Sequence, residues 1–279
     1  MITSNLVVDA EKPYQRAVSG LMFRNNQKQL TKLKTNRSRV SFTTGELLSS
    51  IQPLPRRAVL LGRCSDGLPF LLTLSDPEMG AILIGGDSGC GKTHHLQVMV
   101  DSLLWSSAPH ELQITILTHH TEEWSGLREG PEKQKSVQAI HAWYDDAAEG
   151  TIQSLMELAE NRRDTTQADP QVVLILDDLN FVEELSFEAQ MTLRWLLTYG
   201  AQSNIWVIGT INSGLAAKFR YWLEAFRTRI IGHMRSKARL ADLTLVNGLQ
   251  MKTLEPGEFR VWTGEDWLTY QIPLLGGLR

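Results

Sequence analysis

Residues 81–93 read AILIGGDSGCGKT: an apolar run suited to a buried strand passes into the spacing G-x-x-x-x-G-K-T, with Gly86, Gly91, Lys92 and Thr93 at its fixed positions. Glycines let the backbone turn its N–H groups inward around a polyphosphate, the lysine reaches the β and γ oxygens, and the hydroxyl takes one Mg²⁺ position. The stretch predicts an ATP site formed by Gly86, Asp87, Ser88, Gly89, Cys90, Gly91, Lys92, Thr93 and His94, with Thr93 on the metal. Beyond Thr93 the apolar residues Leu96, Met99, Val100, Leu103 and Leu104 share one helical face. Strand, glycine loop and helix therefore follow in the order the motif requires.

Downstream, residues 172–178 read VVLILDD, five apolar residues and then two acids, with Asp177 lying 85 positions after Lys92. Such a strand projects both carboxylates from its C-terminal end, as the Walker B element of a P-loop NTPase does. There the first acid holds Mg²⁺ and the second polarises the attacking water. Asp177 is assigned to the metal and Asp178 to the base. Residues 113–117 form one further strand between the P-loop helix and this element, the order of the additional-strand NTPases that include RecA-like motors. In that class the fourth strand, here residues 205–209, lies between the other two site strands. Thr210 and Asn212 stand at its end, as γ-phosphate sensors or as a plain strand-ending turn in GTINSG.

The rest of the chain alternates in the same way. AVLLG, a turn at Ser65-Asp66-Gly67 and PFLLTL predict a hairpin ahead of the P-loop. Residues 229–233 predict a fifth buried strand, residues 151–163 and 187–199 predict helices, and EFRVWTG with DWLTYQI predicts a terminal hairpin. Strand alternating with helix argues an α/β fold with a mostly parallel sheet. Thr43-x-x-Glu46 ahead of Leu47 and Leu48 is a capping-box pattern for a short helix. The organisation expected is a basic N-terminal arm with that helix, residues 1–55, and an ATPase domain, residues 56–279.

Composition bounds this reading. No stretch approaches the roughly 18 consecutive apolar residues of a membrane span, so direct membrane insertion is not expected. The N-terminus has no basic start followed by an apolar core, and two cysteines make no disulfide framework; a cytoplasmic location is expected. Cys64 is expected near a turn, and Cys90 lies inside the P-loop, where its main-chain N–H matters more than its sulfur, although the positive loop could make the thiol somewhat reactive. The adjacent pairs His94-His95 and His119-His120 lack partners at zinc spacing and are read as helix surface and loop. Residues 1–45 carry eight basic and two acidic side chains, a charge of +6, which leaves −9 for the remainder of a chain whose net is −3. Such an arm is a handle for nucleic acid or an acidic partner, or a solvated tail.

At this point the chain resembles the FtsK/HerA superfamily of hexameric motor ATPases, and FtsK-type translocase domains in particular, over about residues 56–279. VLLGRCSDGLPFLLTL is similar to that family's hairpin before the P-loop, LAENRRD to its helix ending in paired arginines, and VVLILDDL to its Walker B strand. GAQSNIWVIGTINS, FRTRIIGHMRSKARLADL and LEPGEFRVWTGEDW resemble its fourth strand, fifth strand and closing hairpin. The resemblance implies a RecA-like ATPase using ATP and Mg²⁺, a homo-oligomeric, hexameric ring, and movement of a polymer, double-stranded DNA by default. It also implies an arginine donated by a neighbouring subunit to the γ-phosphate, with Arg229 and Arg239 as the candidates and Arg227 behind them.

Three departures stand out. Asp178 replaces the family's usual glutamate, which shortens the base by one methylene and points to slow hydrolysis. The fourth strand ends G-T-I-N where the family has A-T-Q, so Asn212 has to stand in for the glutamine. Ala201 and Gln202 occupy positions that are often basic. The rival reading is a slow ATPase switch, or an energising subunit of a secretion or assembly machine. A protein partner for the basic arm is open in either reading.

Overall fold

The computed structural model describes residues 41–51, 53–128, 135–163, 170–236, 238–246, 249, 253–262 and 267–276. The arm over residues 1–40 and the turn of the terminal hairpin, residues 263–266, lie outside them. In chain order the elements are α1 (Thr44–Ser49), β1 (Ala58–Cys64), β2 (Pro69–Thr73), β3 (Ala81–Gly86), α2 (Lys92–Ser106), β4 (Leu112–Thr118), β5 (Val137–Ala142), α3 (Asp146–Arg162) and β6 (Gln171–Asp177). They continue with α4 (Phe187–Tyr199), β7 (Ile205–Asn212), α5 (Arg220–Leu223), β8 (Phe226–Ile231), α6 (Ala238–Thr244), β9 (Glu258–Trp262) and β10 (Trp267–Gln271).

All ten strands join one sheet in the order β2-β1-β10-β9-β8-β3-β7-β6-β4-β5. From β8 to β5 every pairing is parallel, and the pairings from β2 to β8 are antiparallel. β7 lies between β3 and β6, as the additional-strand order requires. Successive strand residues point to opposite faces, and each face is covered by helices. On one face Val173, Ile175, Trp206 and Ile208 pack with Leu96, Met99, Val100 and Leu103 of α2. On the other, Val172, Leu174, Leu176 and Val207 pack with α3 and α4 through Ile152, Leu155, Leu193 and Leu197. Both hairpins form as expected, and β10 pairs with β1, so the two close one antiparallel flank.

The structure moves some boundaries. β8 runs from Phe226 to Ile231 rather than over 229–233, and α3 begins at Asp146 rather than 151. β5, an edge strand paired with β4, has no counterpart in the sequence reading. The capping box of α1 forms, with Thr43 N–H on Glu46 Oε2 at 2.8 Å and Glu46 N–H on Thr43 Oγ1 at 3.3 Å. That helix, grouped with the arm on sequence grounds, docks on the domain: Leu47 and Leu48 pack with Leu60 and Val98, and Thr44 N–H donates to Leu274 O at 2.9 Å.

Candidate nucleotide site

β3 carries the chain from the buried sheet centre to Gly86, and the loop turns into α2 through Gly89 (φ 77°) and Gly91 (φ 100°), backbone angles that favour glycine. A Cβ on Gly86 would lie 2.6 Å from Cys90 Sγ, so any other residue there would have to displace the buried sulfur. Lys92 Nζ folds over this cradle and donates to Gly86 O at 3.3 Å and Asp87 O at 3.1 Å. Cys90 itself is buried, and burial raises its thiol pKa; the sulfur is packing, and the expectation of a reactive thiol does not hold. His94 turns its ring away from the loop, with Nε2–H on Pro273 O at 2.8 Å.

Opposite the lysine, three donors converge on Asp177. Thr93 Oγ1 donates to its Oδ1 at 3.1 Å, Thr210 Oγ1 to the same oxygen at 3.0 Å, and Trp124 Nε1 to Oδ2 at 3.3 Å. The acid is almost wholly buried, and desolvation raises its pKa despite these three bonds. Thr93, from the start of α2, and Thr210, from the end of β7, thus meet on Asp177. The parallel register that aligns Ile84 with Thr210 is what brings the end of β7 to the loop. The donor set, a carboxylate beside a P-loop hydroxyl, consists of hard oxygens and fits Mg²⁺. Among the described residues no group of three or more His, Cys, Asp or Glu is arranged to hold a metal by itself.

Asp178 follows at the mouth of the site. Burial pushes its pKa up to about 6, against the backbone N–H of Asn180 and the nearby Lys92 charge, which pull it down. With its amide NH₂ turned toward the acid, Asn180 donates to both carboxylate oxygens at 2.6 Å. A carboxylate with a pKa near 6 is better matched to proton transfer at neutral pH than an ordinary aspartate.

Other nominated residues sit elsewhere. Asn212 aligns with Gly86 in the strand register, but its Oδ1 accepts the Gly214 N–H at 3.0 Å and so forms a turn. Arg229, on β8, is buried, with its guanidinium bonded to the carbonyls of Leu243, Leu223 and Phe226 of its own chain. Arg239 rests on its own chain's P-loop, 3.4 Å from Asp87 Oδ1. Arg227 pairs with Glu78 at 3.4 Å. Arg162, of the paired arginines, is buried with its guanidinium on Ser203 O and Pro170 O. His95 corrects the helix-surface reading: it is fully buried against Phe259 and Tyr270, with ring centroids at 4.6 and 5.6 Å, and its pKa falls to about 3 because burial opposes the charge.

Sequence reasoning missed Trp124, Asn180 and Ser213. Trp124 lies on a 3-10 segment, Thr121–Arg128, directly after β4, and a tryptophan following the strand beside Walker B was the one local hint. Asn180 sits two residues past Asp178, and Ser213 one past the sensor strand, where its hydroxyl bonds Asp87.

No protein-family model and no curated protein matches the chain. Solved structures do. The chain is similar to EccC (ATPases 2 and 3) of Thermomonospora curvata in complex with a signal sequence peptide, at 15% identity and a TM-score of 0.66, over 85% of this chain and 44% of that one. The cytoplasmic domain of EssC aligns at 18% identity and a TM-score of 0.61, over 84% and 46%. The pCW3 conjugation coupling protein TcpA, in its monomer form with ATPγS, aligns at 16% identity and a TM-score of 0.56, over 79% and 66%. The chain spans less than half the length of the EccC and EssC chains it matches. The likeness shows that the chain shares the fold of these ATPases, an α/β domain built on a mostly parallel central sheet.

Proposed function

We propose that the chain is an ATP-hydrolysing P-loop motor that acts as a homo-oligomeric ring and moves a polymer. The observation that carries this reading is the convergence of Thr93, Thr210 and Trp124 on the Walker B acid Asp177, facing Lys92 across the P-loop. Bound there, ATP would lie with its phosphates against the glycine loop and Lys92, while Thr93 and Asp177 would hold Mg²⁺, which supplies charge neutralisation on the phosphate oxygens. Asp178, aimed by Asn180, takes the proton of the attacking water, and Thr210 keeps Asp177 oriented. Among the described residues no helix is long and apolar enough to cross a membrane.

Double-stranded DNA is the substrate carried over from the sequence resemblance. The −9 charge outside residues 1–45 favours a second reading, in which the ring energises a secretion or assembly machine, because DNA binders are ordinarily basic on their working face. The similarity to EccC, described as a type VII secretion ATPase, supports that reading, and the similarity to a conjugation coupling protein supports the first. ATP turnover with and without double-stranded DNA, beside mass measurement in ATP, tests both. Stimulation by DNA supports translocation, unstimulated slow turnover supports the energising subunit, and the absence of turnover overturns the ATPase reading. If the basic arm binds DNA, removing residues 1–45 lowers affinity and flattens its salt dependence by about 0.9 per phosphate contact in log–log slope.

A further inference from the structure

The P-loop of this chain carries an acid, Asp87, directly after Gly86. A carboxylate one residue from a phosphate cradle opposes a polyphosphate unless a cation meets it. Lys92 does not: its ammonium is on the main-chain carbonyls of Gly86 and Asp87. The cation that meets Asp87 is Arg239, whose Nη1 lies 3.4 Å from Oδ1 and 3.4 Å from Ser213 Oγ. The Ser213 hydroxyl also donates to Oδ1, and the Arg235 backbone N–H donates to Oδ2 at 2.9 Å. Burial works against the Asp87 charge, yet these partners outweigh it and hold its pKa below the ordinary value.

The pair is asymmetric. The Asp87 side chain is 14% exposed and fixed from three directions, while the Arg239 side chain is 46% exposed and held only at its tip. The helix that carries the arginine is seated on the loop's own strand: a Cβ on Gly85 would lie 2.7 Å from a Leu243 methyl, so α6 and the end of β3 are in van der Waals contact. Movement of Arg239 therefore reaches α6, and movement of Asp87 reaches the end of β7 through Ser213.

We propose that Arg239 serves the nucleotide site of its own chain: it is the counter-charge that lets a P-loop bearing Asp87 accept a polyphosphate, and the group through which α6 responds to that ligand. Arg239 is a positioning residue in this role, acting through Asp87. The proposal rests on the nucleotide-binding reading of the P-loop.

The test is titration of the full chain with a fluorescent ATP analogue and Mg²⁺, comparing Arg239→Gln, Asp87→Asn, the double variant and Lys92→Ala. Asn removes the charge and keeps one of the two acceptor oxygens; with that oxygen on the Arg235 N–H, its NH₂ donates to the Ser213 hydroxyl, which turns from donor to acceptor. Arg239→Gln should weaken binding roughly tenfold, the scale of one lost charge-assisted contact, and Asp87→Asn, which removes the acid that opposes the phosphates, should tighten it. In the Asp87→Asn background the same arginine substitution should cost less than about twofold, a rescue that loss of packing would not produce. Equal costs in both backgrounds, or none in either while Lys92→Ala abolishes binding, overturn the proposal. Unchanged binding in Lys92→Ala instead removes the nucleotide reading itself. Mixing Arg239→Gln chains with Lys92→Ala chains tests ownership of the arginine. No recovery of affinity is expected, and recovery would assign Arg239 to a neighbour's site.

Discussion

The six parallel strands from β8 to β5 and the four strands from β2 to β9 belong to one sheet and do different work. In the parallel part β3, β6 and β7 run the same way, so their C-terminal ends bring Gly86, Asp177 and Thr210 to one edge. Ligand sites of open α/β sheets lie at such edges because every strand delivers its end there. Among the described residues the antiparallel part brings no acid or lysine to the site. It braces the loop from behind: Gly257 N–H donates to Cys90 O at 3.2 Å, and Phe259 and Tyr270 close over His95 in the first turn of α2. One part holds the chemistry and the other holds the element that presents it, so substitutions in the two should separate function from stability.

The largest effect is expected at the centre of the parallel part. Lys92→Ala removes the cation aimed at the β and γ phosphates and should abolish measurable ATP binding, a loss of at least about a hundredfold in affinity, with the melting temperature nearly unchanged. Nucleotide titration and a thermal melt on the same sample check it. A variant that melts early but binds normally would erase the distinction between the two parts.

The second effect belongs to the brace and appears in stability. His95 has a folded pKa of about 3 against 6.5 for the ordinary side chain, so the folded state binds fewer protons than the unfolded one between those values. Its contribution to stability is complete above pH 6.5 and is lost as the pH falls, by about 1.4 kcal/mol per unit, or roughly 2–3 kcal/mol by pH 4.5. His95→Phe, which cannot titrate, should flatten this part of the acid limb of a denaturation profile. A limb of unchanged slope would mean that His95 does not stay neutral on folding.

What was legible in the sequence divides along the same line. The P-loop and Walker B could be read because their chemistry depends on fixed local spacing: Lys92 lies six positions after Gly86, and two acids end one apolar run. β7 could be placed between β3 and β6 from strand order alone. His95 could not, because helical periodicity shows one apolar face of α2, whereas β1, β9 and β10 cover another. Val98 and Ser102, three and seven positions beyond His95, are buried with it. Arg229 was nominated by its place in a motif, but strand alternation turns it into the sheet's covered face, where three carbonyls take its guanidinium. Trp124 and Ser213 reach Asp177 and Asp87 by tertiary convergence, which spacing hardly signals, whereas Asn180 meets Asp178 locally, two residues further on.

The third effect returns to the parallel part. Asp178→Asn keeps size and loses the base, so turnover should fall at least tenfold, about 1.4 kcal/mol in the barrier, with nucleotide affinity retained. Single-turnover hydrolysis beside binding separates the two quantities. Parent-rate turnover would place the base elsewhere and leave Asp178 as the cap of the turn that follows β6, where its side chain accepts the Asn180 N–H.

The smallest effect is expected at Trp124, which belongs to the parallel part yet works by positioning. Trp124→Phe retains most of the buried ring and removes one donor, leaving Asp177 Oδ2 without the indole N–H that meets it at 3.3 Å. An unsatisfied buried oxygen costs about 1–3 kcal/mol, and the length of this bond argues for the lower end. The Thr93 and Thr210 hydroxyls still hold Oδ1, so the acid should swing about its remaining anchor rather than leave the site. The Mg²⁺ concentration for half-maximal turnover should therefore rise by roughly threefold to tenfold, while ATP affinity measured without metal stays constant, because the phosphates are gripped by the loop and Lys92. If the metal requirement does not move and only the melting temperature falls, Trp124 is a brace like His95, and the division between the two parts of the sheet does not extend to the turn after β4.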